Sequence, residues 1–201
     1  MSILTEKIPF EIHLTTGDLP QEREQQFSTY CQSVGAKALL IELSRGQYMQ
    51  QPMLSTIVYA NHLEAVLSEA NTLSSGLEQH NFKAKRLKIE IPAFHAHKFA
   101  DSPSAFDRYF EWHGKISYTD VELIESLCQK HKVHLSVNAL KNAPGTRFIT
   151  LREYGSKARF EERVQGLLKD FEIKRLSINK QQAEYCIYDN NSRLDAGWLP
   201  Q

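Results

Sequence analysis

The chain has 201 residues, 41% of them apolar and 24% charged, and its Lys plus Arg total equals its Asp plus Glu total at 24 each. That length can bury a sizeable core. The balanced charge argues against a dedicated nucleic-acid polymer or acidic-membrane binder, since both carry a basic surplus. No apolar run approaches the roughly 18 residues of a membrane helix. The opening MSILTEKIPF has no basic segment followed by an apolar one, so a soluble, cytoplasmic protein is expected. Cys31, Cys128 and Cys186 are odd in number and far apart, with no CxxC pair. They read as buried reduced thiols rather than a disulfide framework or a zinc site.

Residues 8–15 alternate apolar and polar, as a half-buried strand does. A helix is expected over 20–33, strands over 38–43 and 53–59, and a helix over 61–80 with Leu63, Val66, Leu67, Ala70, Leu73 and Leu77 on one stripe. A strand over 82–91 ends at Pro92. The stretch 92–108, with Pro92, Ser102, Pro103 and Ser104, reads as a linker. A strand at 109–117 follows, then a helix at 119–130 capped by Thr119 or Asp120. Strands at 132–140 and 146–153 are joined through the turn Asn142-Ala143-Pro144-Gly145. A helix over 156–170, a strand over 171–179 and an extra strand over 183–188 complete the pattern.

The chain also repeats itself. Phe10-Glu11-Ile12-His13 matches Phe110-Glu111-Trp112-His113, and Cys31-Gln32 matches Cys128-Gln129. The stretch from Phe82 to Ile89 matches that from Phe171 to Ile178. The three matches fall in the same order, as a duplication leaves them. The expected fold is therefore α+β: two tandem ferredoxin-like (βαββαβ) repeats related by pseudo-twofold symmetry, with an extra C-terminal strand. The expected boundaries are 1–92 for the first repeat, 93–108 for the linker and 109–201 for the second repeat with its tail, together one compact unit.

Strand parity divides the side chains. Phe10, Ile12 and Leu14, with Phe110, Trp112 and Ile116, should meet the helices. Glu11, His13 and Thr15, with Glu111, His113 and Lys115, fall on the other face, as do Arg86, Lys88 and Glu90. The same reading puts Arg175, Ser177 and Asn179 there, along with Glu42, His134, Ser136, Asn138, Thr150 and Arg152. An ordinary solvated face would carry such residues too. A histidine two residues after a glutamate, twice at the same repeat position, favours a site. The expectation is that two open sheet faces meet in a polar cleft. There Glu11, His13, Glu111, His113 and His134 are candidates for acid–base chemistry, and the Glu–His pairs are equally suited to a divalent metal. Lys88, Lys115, Arg147 and Arg152 are the candidate clamp for a small anion, with Asn138 orienting it. Parity puts Arg147 on the helix side unless its strand begins late. No cofactor is specified by these residues, and self-association is compatible with them.

His13-Leu14-Thr15-Thr16 and His134-Leu135-Ser136-Val137 resemble the paired H-x-[ST]-x motifs of 2H phosphoesterases. That resemblance implies phosphodiester chemistry on two histidines. Glu111-x-His113-x-Lys115 resembles the E-x-E-x-K strand of triphosphate tunnel enzymes, with His in place of the middle Glu. The strings FEIHLT, QPM, RLKIE, YFEWH, HLSVNAL, RFITLRE and YDNNSRLDAGW together resemble an uncharacterised bacterial protein family, which brings no activity with it. The functional expectation is a small-anion or phosphate-ester binding protein. If it is an enzyme, it is a phosphoesterase-like hydrolase. The competing expectation is a non-catalytic interaction or regulatory protein that uses the open sheet faces.

Overall fold

Capping chemistry and apolar periodicity set the element boundaries in the computed structural model, which describes residues 6–99, 106–117, 120–140 and 145–198. The chain runs β1 (Ile8–Thr16), α1 (Gln21–Ser33), β2 (Lys37–Leu43), β3 (Gln50–Ala60), α2 (Leu63–Gln79) and β4 (Ala84–Pro92). A 3-10 segment, Ala93–Phe99, follows. The chain continues through β5 (Tyr109–Ser117), α3 (Val121–His131), β6 (His134–Asn138), β7 (Thr146–Glu153), α4 (Lys157–Ile173) and β8 (Ile178–Asp189) to a short 3-10 turn, Ser192–Asp195. Side chains accept the first free helical N–H groups: His62 Nδ1 from Ala65 at 3.1 Å, Asp120 Oδ1 from Leu123 at 2.9 Å and Ser156 Oγ from Arg159 at 3.2 Å. Thr119, Ser102, Pro103, Ser104 and the turn residues Asn142, Ala143 and Pro144 lie outside the described residues.

The strands close into one antiparallel barrel in the order β1-β3-β2-β6-β7-β5-β8-β4. Two seams make the closure. At one, Ile41 faces Asn138 and Leu43 faces Ser136 across β2 and β6. At the other, Lys88 faces Asp189 and Pro92 faces Glu184 across β4 and β8. This overturns the expected fold of two tandem ferredoxin-like repeats with open sheets. The sheet edges pair with one another instead of stacking faces across a cleft, which satisfies N–H and C=O groups that would otherwise be left at four edges.

On β1, β4 and β5 the apolar parity points outward, under the helices, as do Leu54 of β3 and Ile149 and Leu151 of β7. Phe10, Ile12, Leu14, Leu54 and Ile89 pack with Phe27, Cys31, Val66, Ala70 and Leu77 of α1 and α2. Phe110, Trp112, Ile116, Ile149 and Leu151 pack with Ile124, Leu127, Phe160, Leu167 and Phe171 of α3 and α4. Two hydrophobic layers thus sit outside the barrel, and burial of this area drives the fold. Gly114 belongs to the outer face of β5. A Cβ there would lie 2.3 Å from the Trp112 ring, so glycine lets that indole lie flat along its own strand. The three cysteines are free and buried.

The expected extra C-terminal strand is also corrected. The apolar stripe of α4 continues through Phe171, which buries in the outer layer, so the helix extends to Ile173. One strand of twelve residues, β8, replaces the two expected. Glu42 is likewise on the outside, where it accepts from Gln50 Nε2 at 3.0 Å, while Leu39 and Ile41 of the same strand face inward. No helix among the described residues is long and apolar enough to cross a membrane.

Candidate functional site

The polar parity of the strands lines the barrel interior, which holds a cavity of about 290 Å³. One half of its wall comes from the contiguous strands β5, β8, β4 and β1. Their register sets Glu11 opposite Glu90, His13 opposite Lys88, and Glu111 opposite Glu184. These side chains form a continuous chain of contacts. His13 Nε2 lies 3.0 Å from Glu90 Oε2. Lys88 Nζ bridges Glu90 and Glu111 at 2.9 Å each. His113 Nε2 lies 3.3 Å from Glu111 Oε2 and 3.5 Å from Glu184 Oε2. Thr150 Oγ1 is 3.1 Å from His113 Nδ1. Ser55 donates to Glu11 at 2.8 Å, and Gln182 donates to Glu184 at 2.7 Å.

The network divides its carboxyl groups by environment. Burial alone would raise Glu111, but Lys88 and Arg152 hold it well below the usual carboxylate range. Glu90 is also lowered: burial opposes ionisation, and the Lys88 charge and the His13 contact outweigh it. Glu11 is lowered too, its burial offset by His13 and the Ser55 hydroxyl. No lysine or arginine among the described residues pairs with Glu184, and the nearby His113 and Lys88 lower it less than its surroundings raise it. Burial, with the neighbouring Glu90 charge, pushes it up to about 8. His113 is raised despite burial, because Glu111 accepts from it and Glu184 lies close.

The end of the barrel near Arg86 is plugged. Asp195, in the turn after β8, is 1% exposed. It accepts from Arg86 Nη1 at 3.0 Å, Arg86 Nη2 at 2.9 Å and Arg152 Nη2 at 2.6 Å. Asp189 takes the other side of Arg86 at 2.9 and 2.6 Å, together with the Tyr109 hydroxyl at 2.6 Å. Arg152 also donates to Glu111 at 2.7 Å and stacks 4.1 Å above the Tyr109 ring. Every deep cation is therefore held by carboxylates of the chain itself. The opposite end is the mouth, beside the exposed Lys37, Lys180 and Gln182. The remaining wall, from β3, β2, β6 and β7, presents Met53, Leu39, Ile41 and Phe148, with Ser136 and Asn138 between them.

Of the residues singled out from sequence, Glu11, His13, Lys88, Glu111, His113, Asn138 and Arg152 line this cavity. Asn138 Oδ1 also accepts from the Leu40 N–H at 3.2 Å across the seam. Lys115 is not among the lining residues. Arg147 has the opposite parity to Phe148 and Thr150 and faces outward, donating to the Thr146 carbonyl at 2.9 Å. His134 is buried behind the plug, 2.6 Å from Arg45 Nη2 and beside Trp198. Burial and the Arg45 charge bring it down to about 4. His13 and His134 thus serve different surroundings, unlike the paired histidines of the 2H pattern.

Sequence reasoning left out Glu184, Gln182, Asp189 and Asp195. The first two alternate with Lys180 on β8 and become visible once that strand is read as one. Asp189 shares the interior because the register shifts beside Ile89 and Glu90, where Ile89 faces Tyr188 and Glu90 faces Cys186. Such a bulge re-aims the side chains beyond it.

No protein-family model matches the chain, and no curated protein sequence matches it. Among solved structures it is similar to a proposed monooxygenase from Lactobacillus acidophilus, with 12% identity, 90% of this chain and 93% of the other covered, and a TM-score of 0.33. It is similar to a proposed monooxygenase from Fusobacterium nucleatum, with 10% identity, coverage of 96% and 99%, and a TM-score of 0.35. It is also similar to a heme-binding protein from Thermus thermophilus, with 11% identity, coverage of 90% and 92%, and a TM-score of 0.32.

Proposed function

We propose that the chain binds a small molecule inside its barrel, with an apolar body against Leu39, Ile41, Met53 and Phe148 and a polar end at the Glu–His wall. The observation that carries this reading is the two-sided lining of one cavity that opens at one end. Small-ligand sites combine apolar area with a few convergent polar groups, and this interior has both. The volume suits a compact ligand with a single ring or a short aliphatic body.

The charge balance refines the ligand. The cations expected to clamp an anion, Lys88 and Arg152, are committed to Glu90, Glu111 and Asp195. The ionised carboxylates Glu90, Glu111, Asp189 and Asp195, with the partly exposed Glu11, outnumber the deep cations Arg86, Lys88 and Arg152, and Glu184, pushed up to about 8, keeps its proton at neutral pH. A free phosphate monoester would face carboxylates at close range, which costs several kcal/mol unless another cation intervenes. A neutral or cationic polar end fits better. The interaction-protein alternative loses its surface, because the polar faces it would use are turned into the barrel.

The test is a fluorine NMR screen of para-fluorobenzyl alcohol, para-fluorobenzylamine and para-fluorobenzoate against wild type and Met53→Trp, which fills the apolar side. The expected result is line broadening with wild type by at least one probe, lost in the filled variant. Equal broadening with both proteins, or none with wild type, overturns the reading.

A further inference from the structure

We infer that Glu90, His113 and Glu184 form a binding site for one divalent first-row metal ion inside the barrel. This deepens the small-ligand reading and rests on the same cavity: the ion would hold the polar end of the ligand. One ligand atom from each of the three residues lies within 4.8 Å of the other two. Donors at about 2.0–2.4 Å from a common ion are separated by no more than that. The three arrive from adjacent strands, β4, β8 and β5, so the spacing is built into the sheet register rather than into loops.

An independent observation points to a ligand. Glu90 is 1% exposed, and its Oε1 is buried with no hydrogen-bond partner, although Oε2 is held by Lys88 and His13. A buried carboxylate oxygen left bare costs about 1–3 kcal/mol or more, and an ion at this position would complete it. His13 Nδ1, on the same wall, is also buried and unpartnered.

The imidazole is oriented for the task. Thr150 Oγ1 sits 3.1 Å from His113 Nδ1. Nδ1–H donates there, and the ion would take the place of the proton that Nε2 otherwise donates to Glu111. An outer partner of this kind fixes the ring of a metal-binding histidine. Gln182 holds Glu184 Oε1 at 2.7 Å in the same way. One nitrogen and two carboxylates favour Zn²⁺, Mn²⁺ or Fe²⁺ over Ca²⁺, which takes oxygen ligands only. The cavity side of the ion remains open to water or a ligand oxygen.

The experiment is electron paramagnetic resonance titration of metal-free protein with Mn²⁺, with Zn²⁺ uptake followed by calorimetry. Wild type, Glu184→Gln, Glu90→Gln and the outer-face variant Glu42→Gln are compared, each with its fold checked by circular dichroism. Wild type should take up one equivalent of at least one ion. The Glu184→Gln and Glu90→Gln variants should bind at least tenfold more weakly, and Glu42→Gln, on the outer face of β2, should bind like wild type. No uptake of either ion by wild type, or equal affinity in all four proteins, overturns the inference. Ion uptake without any fragment binding would sink the small-ligand reading alone. Fragment binding without ion uptake would sink the metal site alone.

Discussion

Replacing Lys88 by Met tests whether the interior network is real. Lys88 Nζ touches both Glu90 and Glu111, at 2.9 Å each, and the residue is 8% exposed. Its ammonium is held well above the usual lysine range: burial disfavours the charge, and Glu111 and Glu90 more than compensate. Methionine keeps the stem volume and deletes the charge, leaving two buried carboxylates facing one another. Removing one partner of a buried pair costs about 3–5 kcal/mol. Arg152 still serves Glu111, which favours the lower end of that range. For a chain of this size the loss corresponds to roughly 6–20 °C in Tm. The assay is urea unfolding followed through the fluorescence of Trp112 and Trp198, one in the outer layer and one at the plug. Adding Glu111→Gln should restore at least about 1 kcal/mol, because the double variant no longer holds the surplus charge. A loss below about 1 kcal/mol in the single variant, with no recovery in the double, would refute the argument.

Glu184→Gln should change the pH dependence of stability in metal-free buffer. The folded carboxyl sits at about 8 against 4.5 for the free side chain. The native state therefore holds a proton that the unfolded state has released, and wild-type stability falls as pH rises from about 4.5 to 8. The amide has no such loss, so the variant should gain on wild type by about 2–4 kcal/mol at pH 8.5 relative to pH 4.5; parallel profiles in chemical denaturation would contradict this. Asp195→Asn should loosen the plug, since three of its partners are guanidinium nitrogens. Trypsin cleavage after the exposed Arg193 should become several-fold faster, and an unchanged rate would show that the turn is held otherwise. Gly114→Val should cost about 1–3 kcal/mol by forcing the Trp112 ring off the strand, read as a lower urea midpoint.

Alternation along β1 and β5 was legible, because both strands have one wet and one apolar face. It separates Phe10 and Ile12 from Glu11 and His13, and Phe110 and Trp112 from Glu111 and His113. What parity cannot say is where the wet face goes. A polar face on an open sheet and one rolled into a barrel obey the same alternation, and closure depends on short edge pairings such as Ile41 with Asn138. The site was half visible for the same reason. Glu184 was missed because the end of α4 imitates the start of β4 in sequence: Phe171 to Ile178 reads like Phe82 to Ile89, yet its first residues complete a helix. Asp189 required a bulge, and Asp195 required a tail that folds back over the barrel end. Neither follows from periodicity. Arg147 shows the opposite case, where plain alternation already placed it outside.

The most direct measurement is anomalous diffraction from crystals grown with Mn²⁺. The account predicts a single strong peak within the barrel, in contact with carboxylate oxygens of Glu90 and Glu184 and with His113 Nε2. Peaks confined to the outer surface, with those three side chains bonded only to protein groups such as Lys88, Gln182 and Thr150, would contradict it.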